Sequence, residues 1–395
     1  METRRVLISG GGIAGLTLAY WLRRRGMTPV VVEVAPQLRG GGYMIDFWGA
    51  GFDVAERMGI VPQLAEVHHD IPALDFIDEA ERVRSRFSFK DLRALLGGRH
   101  FSLLRSGLAR VLHDQVKDDV EIRFGTSIRA LRPDEDGVEV DLVTGDVPCT
   151  ERFDLVVGAD GLRSATRRML FGPDARFERY LGYYTASYTV ANTTGKTGVF
   201  QSLSAPGRQV GLYSVGHDRF AAFFIFADEA HTVRRAPAEQ HEALRRAFGA
   251  LGWRTPGLLD AMESATDFYF DAVSQIDLPR WSLGRVGLVG DACQCVSLIS
   301  GQGSALAMAG AYTLAGELAA QPSDPAAALA RYEATLRPVI AWKQQQARRF
   351  ASSFVPGSRL GIAARDGFVK LMFLPGVSKL FLRQFASDTL KLQEY

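Results

Sequence analysis

Arg5-Val6-Leu7-Ile8-Ser9-Gly10-Gly11-Gly12-Ile13-Ala14-Gly15 sets the reading of everything downstream. Arg5–Ser9 is an apolar run of strand length, and Gly10, Gly12 and Gly15 follow in G-x-G-x-x-G spacing. Residues 16–24 read as a helix with Leu16, Ala19, Tyr20 and Leu22 available for burial. Gly26 stops that helix, and residues 29–33 form a second strand. Strand, glycine turn, helix and strand in this order give the motif its physical meaning. Gly10 permits the tight turn, Gly12 lets backbone approach a pyrophosphate, and Gly15 lets helix pack closely on strand. The helix N-terminus, from Ile13 and Ala14, offers N–H groups and a partial positive charge to phosphates. Glu33 ends the second strand, about 20 residues on, where a carboxylate accepts from ribose hydroxyls and repels a 2′-phosphate.

Composition sets the outer bounds. A chain of 395 residues, 47% apolar and 23% charged, is an ordinary globular protein with room for two or three domain-sized units. Net charge is +2, from 46 basic and 44 acidic residues, without a long basic run, which argues against nucleic-acid binding. No apolar stretch approaches membrane-spanning length. The apolar start is broken by glycines and lacks a cleavage site, so no signal peptide is expected. Three cysteines, Cys149, Cys293 and Cys295, give no disulfide framework and suit a cytoplasmic protein. Cys293-Gln294-Cys295 reads as small residues in a packed loop, and no metal site is expected.

Further along, Gly59 ends a helix over 52–58, and Ser106 stands as N-cap of a helix over 107–116. Strand-like runs lie at 120–124, 138–143 and 154–158. From about Tyr180 to Asp271 aromatic and β-branched residues alternate in 183–190, 209–215 and 220–227, between Gly, Pro and Asp turns. That pattern predicts an antiparallel sheet, with one helix at 238–248. A buried strand returns at 286–289, a small-residue helix spans 304–318, and a helix over 331–350 is bent or interrupted at Pro338. The last 45 residues read as a helical segment packed on the core.

Two later segments extend the opening motif. Asp160-Gly161 ends the run Asp154-Leu155-Val156-Val157-Gly158-Ala159, and Gly290-Asp291-Ala292 follows Val286-Gly287-Leu288-Val289, with Gly301-Gln302-Gly303-Ser304 opening the long helix. The three segments, in this order and spacing, resemble the FAD-dependent aromatic-hydroxylase family of flavoprotein monooxygenases, in particular its tetracycline-inactivating and polyketide-tailoring members. The resemblance implies an α/β fold. A Rossmann-like, three-layer FAD-binding domain with a parallel sheet is assembled from residues 1–70, 98–178 and 277–345. An antiparallel-sheet substrate domain comes from 71–97 and 179–276, and a C-terminal helical segment from 346–395.

It also implies roles. Asp160 contacts the pyrophosphate region through water. Asp291 bonds the ribityl hydroxyls. The backbone of Gly301, Gln302, Gly303 and Ser304 faces the N1/O2 edge of the isoalloxazine, where a helix N-terminus stabilises the anionic reduced ring. Arg39 reaches the adenosine side, Asp46 lines the flavin region, and Arg105 contacts the ribityl or pyrophosphate; a surface ion pair is the competing account of each. Arg163 and Arg167 fit a charge pair or solvent exposure as well as a pyridine-nucleotide contact. Phe47, Trp48, Tyr213, Phe224, Phe268 and Leu298 are candidates for a substrate pocket above the flavin, with core packing as the alternative. His217 reads as a solvated turn residue.

The function implied is NAD(P)H-dependent monooxygenation of an aromatic or polyketide-like substrate, O2 being activated as a flavin C4a-hydroperoxide. The chain departs from the family pattern at Gln294, Leu298 and Ala305. Those departures keep open a flavin dehydrogenase or oxidase, or a non-redox cyclase or isomerase with FAD as scaffold. A halogenase is disfavoured, since Trp281 has no partner tryptophan two residues away. Oligomeric state is open.

Overall fold

A computed structural model describes residues 4–38, 40, 42–230, 236–373 and 390–395. It opens with β1 (Arg5–Ser9), α1 (Ile13–Arg24), β2 (Thr28–Glu33), β3 (Met44–Phe47), α2 (Ala50–Met58) and α3 (Val61–Glu66). β4 (Ala73–Ile77), β5 (Val83–Ser88), α4 (Phe89–Leu95), β6 (Phe101–Leu104), α5 (Arg105–Asp114) and β7 (Glu121–Phe124) follow. Next come β8 (Thr126–Pro133), β9 (Val138–Thr144), β10 (Val147–Phe153), β11 (Leu155–Gly158), α6 (Ala165–Phe171) and β12 (Glu178–Ala191). β13 (Phe200–Ala205), β14 (Arg208–Ser214), β15 (Arg219–Ala227), α7 (Pro237–Phe248), α8 (Thr255–Ala261) and β16 (Tyr269–Ile276) complete the second sheet and its helices. The chain then returns through β17 (Ser282–Leu283), β18 (Val286–Leu288), α9 (Asp291–Gln294), α10 (Gly303–Ala320), α11 (Pro325–Phe354) and α12 (Arg359–Met372).

The first sheet has the order β17-β18-β11-β1-β2-β7, parallel except for the β17–β18 pair. Val6, Leu7 and Ile8 of β1 are fully buried because both sheet faces are covered, which is why the strand reads as an unbroken apolar run. Helices α1, α2, α5 and α10 bury Leu16, Val54, Leu108 and Leu314 in the main core on one face. On the other face lies the small sheet β10-β9-β8, whose Val138, Val140 and Leu142 pack on Leu7, Val30 and Val156. Helices, parallel sheet and antiparallel sheet make three layers.

The second sheet, β16-β12-β15-β14-β13-β4-β5, is antiparallel except for the parallel β13–β4 pair. Its two faces differ in what covers them. Phe220, Ala222, Phe224 and Phe226 of β15 point toward α7 and α8, while Ala221, Phe223 and Ile225 point the other way. The second face meets the first domain at the loop before β3.

Several expectations are corrected here. Helix α5 begins at Arg105 with Leu104 as N-cap, so Ser106 lies inside it. Helix α11 runs uninterrupted for 30 residues through Pro338. Phe224 and Phe268 belong to the α7 side of the sheet: Phe224 is fully buried against Tyr188 and Phe248, and Phe268 sits edge-on to His241 at 4.8 Å. A strand alternates its side chains between faces, and Phe224 falls on the core parity of β15, while Phe268 lies just before β16. Phe47 is likewise core: it is fully buried beside Phe52, under the α2–α10 crossing. Trp48 beside it is buried too. Arg39 and part of the C-terminal segment lie outside the described residues.

Candidate cofactor and active site

The glycine turn after β1 is built by contact as well as conformation. Gly10 has φ 115°, and a Cβ on it would lie 2.5 Å from Ala159 O on the neighbouring strand end. A Cβ on Gly15 would lie 1.9 Å from Gly10 O, so α1 packs against the turn only with glycine there. Gly12 is different. Its φ of −86° suits any residue, and a Cβ on it meets only Arg105 Nη2, at 4.0 Å. The fold itself does not require glycine at 12; a group seated between the α1 N-terminus and Arg105 would.

Arg105 stands at the start of α5, where its N–H donates to Tyr43 O at 3.2 Å. Among the described residues no ion pair engages its guanidinium. Glu33 accepts from Gly11 N at 2.9 Å and from Ala35 N at 2.8 Å, so it braces the turn as well as facing the crevice.

Asp160 is placed beside Gly10, but its carboxylate is used locally. It accepts from Ser164 Oγ at 2.5 Å and from Thr166 N and Oγ1 at 2.9 Å, tying the Asp-Gly turn to the start of α6. Arg163 pairs with Glu178 at 2.5 Å and Asp271 at 2.9 Å. Arg167 is fully buried and donates to Leu162 O, Ala292 O and Asp174 Oδ1 at 2.6–2.8 Å. The charge-pair account of both arginines is the one realised.

Asp291 opens α9 after Gly290 (φ 65°), whose missing Cβ lets Ala14 approach. Its Oδ1 lies 3.8 Å from where a Gly303 Cβ would stand, so Asp291 and the α10 N-terminus share one opening. Burial pushes the Asp291 carboxyl above the usual carboxylate range, against the pull of Arg105. Gly301 (φ 65°) turns the chain into α10, and no side chain caps the first N–H groups of that 18-residue helix. Leu298 begins the short turn just before it, after Ser297 at φ 81°, a strained conformation for serine. Gln294 donates to Tyr332 OH at 2.7 Å, and Ala305 packs on Gly51 at the α2–α10 crossing. These two departures from the family pattern serve packing.

Tyr43 and Tyr269 roof this opening, with ring centroids 5.7 Å apart. Burial raises the Tyr43 hydroxyl to about 12 and the Tyr269 hydroxyl well above its ordinary value, so both are neutral hydrogen-bond donors. Asp271, on the same strand as Tyr269, adds its charge there. None of the three stood out in the sequence. The readable signal was the β16 parity, which puts Tyr269, Asp271 and Val273 on one face. Tyr213 belongs to that face also, but it is buried, and its hydroxyl accepts from Met44 N–H. Tyr213→Phe is therefore expected to cost about 1–3 kcal/mol, since it strands a buried amide. A shift in urea midpoint checks this, and an unshifted midpoint would show that the amide finds another acceptor. Asp46 accepts from Ser102 Oγ at 3.1 Å and His100 Nε2 at 3.2 Å.

Cys293 and Cys295 are buried free thiols pushed well above their ordinary range, hence unreactive. Among the described residues there is no cluster able to hold a metal, and no helix is long and apolar enough to cross a membrane.

A glycine turn, a guanidinium, a carboxylate and a helix N-terminus around one crevice fit a dinucleotide-binding protein of flavoprotein type. The model of the FAD-binding-domain family matches residues 3–347, and the chain belongs to that family. A flavin-dependent monooxygenase of Legionella longbeachae serogroup 1 is 34% identical over 359 residues, covering 89% of this chain and 90% of its own. The crystal structure of tetracycline destructase Tet(55) is 32% identical with a TM-score of 0.84, covering 100% of this chain and 99% of that one. Tet(51), another tetracycline destructase, gives 29% and 0.85 with full coverage of both chains. The protein is an oxidoreductase, an FAD-dependent monooxygenase.

Proposed function

We propose that this enzyme uses NAD(P)H and O2 to hydroxylate or epoxidise an aromatic or polyketide-like small molecule. The observation that carries the reading is the single opening shared by Gly12, Arg105, Asp291 and the α10 N-terminus, roofed by the aromatic face of the second sheet. The tetracycline destructases among its structural relatives favour a polycyclic substrate.

FAD, when bound, supplies the redox and oxygen-activating chemistry. The protein's own groups bind, orient and keep out water. The α1 N-terminus and Arg105 hold the diphosphate. Asp291 accepts from ribityl hydroxyls, and the N–H groups of Gly303 and Ser304 stabilise negative charge at the ring edge. Glu33, at the end of β2, would accept from ribose hydroxyls. Tyr43 and Tyr269, beside this opening, would donate hydrogen bonds to a bound polar group and help to exclude water from it.

Asp291→Ala removes the hydroxyl acceptor and is expected to weaken FAD binding by about 10- to 100-fold, roughly 1.4–2.7 kcal/mol. Fluorescence titration of the apoprotein measures it, and wild-type affinity in the variant would remove Asp291 from the cofactor site. Turnover under heavy-isotope oxygen tests the reaction: one labelled oxygen in the product is expected. An unlabelled oxidised product would mark a dehydrogenase instead.

A further inference from the structure

Three polar groups beside the opening keep hydrogen-bonding capacity that the protein itself does not use. Strand β16 alternates its side chains. Phe270 and Ala272 join the α7-side core, while Tyr269 and Asp271 face the other way, paired with Ser187 and Thr185 of β12.

Asp271 is tied down through one oxygen. Its Oδ1 accepts from Arg163 Nη2 at 2.9 Å and from Ala272 N–H at 2.8 Å. Its Oδ2 takes no hydrogen bond among the described residues, and the side chain is 21% exposed. The Tyr43 and Tyr269 hydroxyls likewise have no hydrogen-bond partner among the described residues. Burial is the main cause of the raised values of these two hydroxyls and of the Asp291 carboxyl. The charge of Asp271 adds to all three, which places it at the same opening.

Two neutral donors and one carboxylate oxygen therefore meet there. A carboxylate paired with arginine is ionised and can only accept. The group that complements this set must both give and take a hydrogen, and a ring hydroxyl does so with one oxygen. A methyl ether takes but cannot give. A carboxylate has nothing to give either, and would set two acceptors against each other. A site built to bond a hydroxyl discriminates against analogues that lack it, because its own polar group is left unpaired.

We propose that Asp271 is a specificity-determining residue: its Oδ2 accepts from a substrate hydroxyl to which Tyr43 and Tyr269 donate, so the enzyme selects hydroxylated rings and disfavours ring carboxylates. The proposal rests on the aromatic-substrate reading given above. Arg163 acts behind it, as the positioning residue that holds the other oxygen.

The test is titration of the FAD-loaded protein with naphthol, its methyl ether and naphthoate, all substituted at the same ring carbon, followed by perturbation of the flavin absorbance. Naphthol is expected to bind about tenfold more tightly than either of the others, the value of a hydrogen bond to a charged group. Asp271→Asn keeps the shape. Its carbonyl takes the Arg163 and Ala272 donors and its NH2 faces the opening, so the preference should invert. Naphthol weakens about tenfold, and naphthoate binds more tightly than to the wild type. Tyr269→Phe removes a donor and should weaken naphthol and its ether alike. FAD affinity, measured in parallel, should stay at the wild-type value in both variants. Equal affinities of the wild type for the three ligands overturn the proposal, and this comparison needs no variant to fold. So does an asparagine variant with the wild-type preference, or one that loses FAD, which would put Oδ2 on the cofactor. Failure of all three ligands to bind the FAD-loaded wild type is a different result, and it overturns the aromatic-substrate reading itself.

Discussion

Gly12→Val is expected to give a folded protein without flavin. The two halves of that outcome have separate physical causes. Gly12 has an ordinary φ of −86°, and a Cβ there meets only the end of the Arg105 side chain at 4.0 Å, so the free protein loses little. Substitutions of this kind usually change stability by no more than about 0.5 kcal/mol. The same side chain projects into the space between the α1 N-terminus and Arg105, where backbone must approach a diphosphate closely. FAD affinity should fall by about 1000-fold or more, roughly 4.1 kcal/mol. Gly15→Val supplies the contrast. Its Cβ would lie 1.9 Å from Gly10 O, so the strand–helix contact itself fails and little folded protein is expected. Circular dichroism and FAD titration on both variants decide the matter. A Gly12→Val protein that stays yellow would place the diphosphate elsewhere, and an unfolded one would mean that the glycine serves the fold.

That contrast also explains which parts of the molecule were legible from sequence. The opening βαβ unit was, because its constraints are local: an apolar strand, glycines at fixed offsets and a helix of correct period lie within 33 residues, and the structure places β1, α1 and β2 within a few residues of the reading. Three strands of the second sheet, β12, β14 and β15, were found for the same reason, from alternation. Alternation does not say which parity faces which layer, and Phe224 and Phe268 were assigned to the wrong side of that sheet. Elements with weak patterns, such as β4, β5 and the small sheet strands β8 and β10, went unread. Among site residues, Gly12, Asp291 and the Gly301–Gly303 turn were visible as motifs. Tyr43, Tyr269 and Asp271 were not, because their role depends on two domains meeting, which no local spacing encodes.

Arg167→Ala is expected to cost about 3–5 kcal/mol of stability, as when a buried ion pair loses one partner. Arg167 is fully buried and joins three pieces of chain. It takes Asp174 Oδ1 at 2.7 Å, Leu162 O at 2.6 Å in the Asp-Gly segment, and Ala292 O at 2.8 Å, next to Asp291. Removing it takes the arginine's hydrogen bonds from the Ala292 carbonyl and the half-buried Leu162 carbonyl and leaves Asp174 with Arg168 as its remaining arginine. Both Nη groups are engaged and the whole side chain is buried, so it offers no surface for the pyridine-nucleotide contact that the sequence left open. Arg167→Lys should rescue only part of the loss, because a point ammonium does not span three acceptors that a planar guanidinium reaches at once. Urea unfolding of the apoprotein measures the first effect. FAD titration measures the second, a weakening that follows from Ala292 being adjacent to Asp291. A loss below about 1 kcal/mol would assign Arg167 the modest value of a surface pair. Unchanged FAD affinity in a destabilised variant would separate the two motifs that this arginine links.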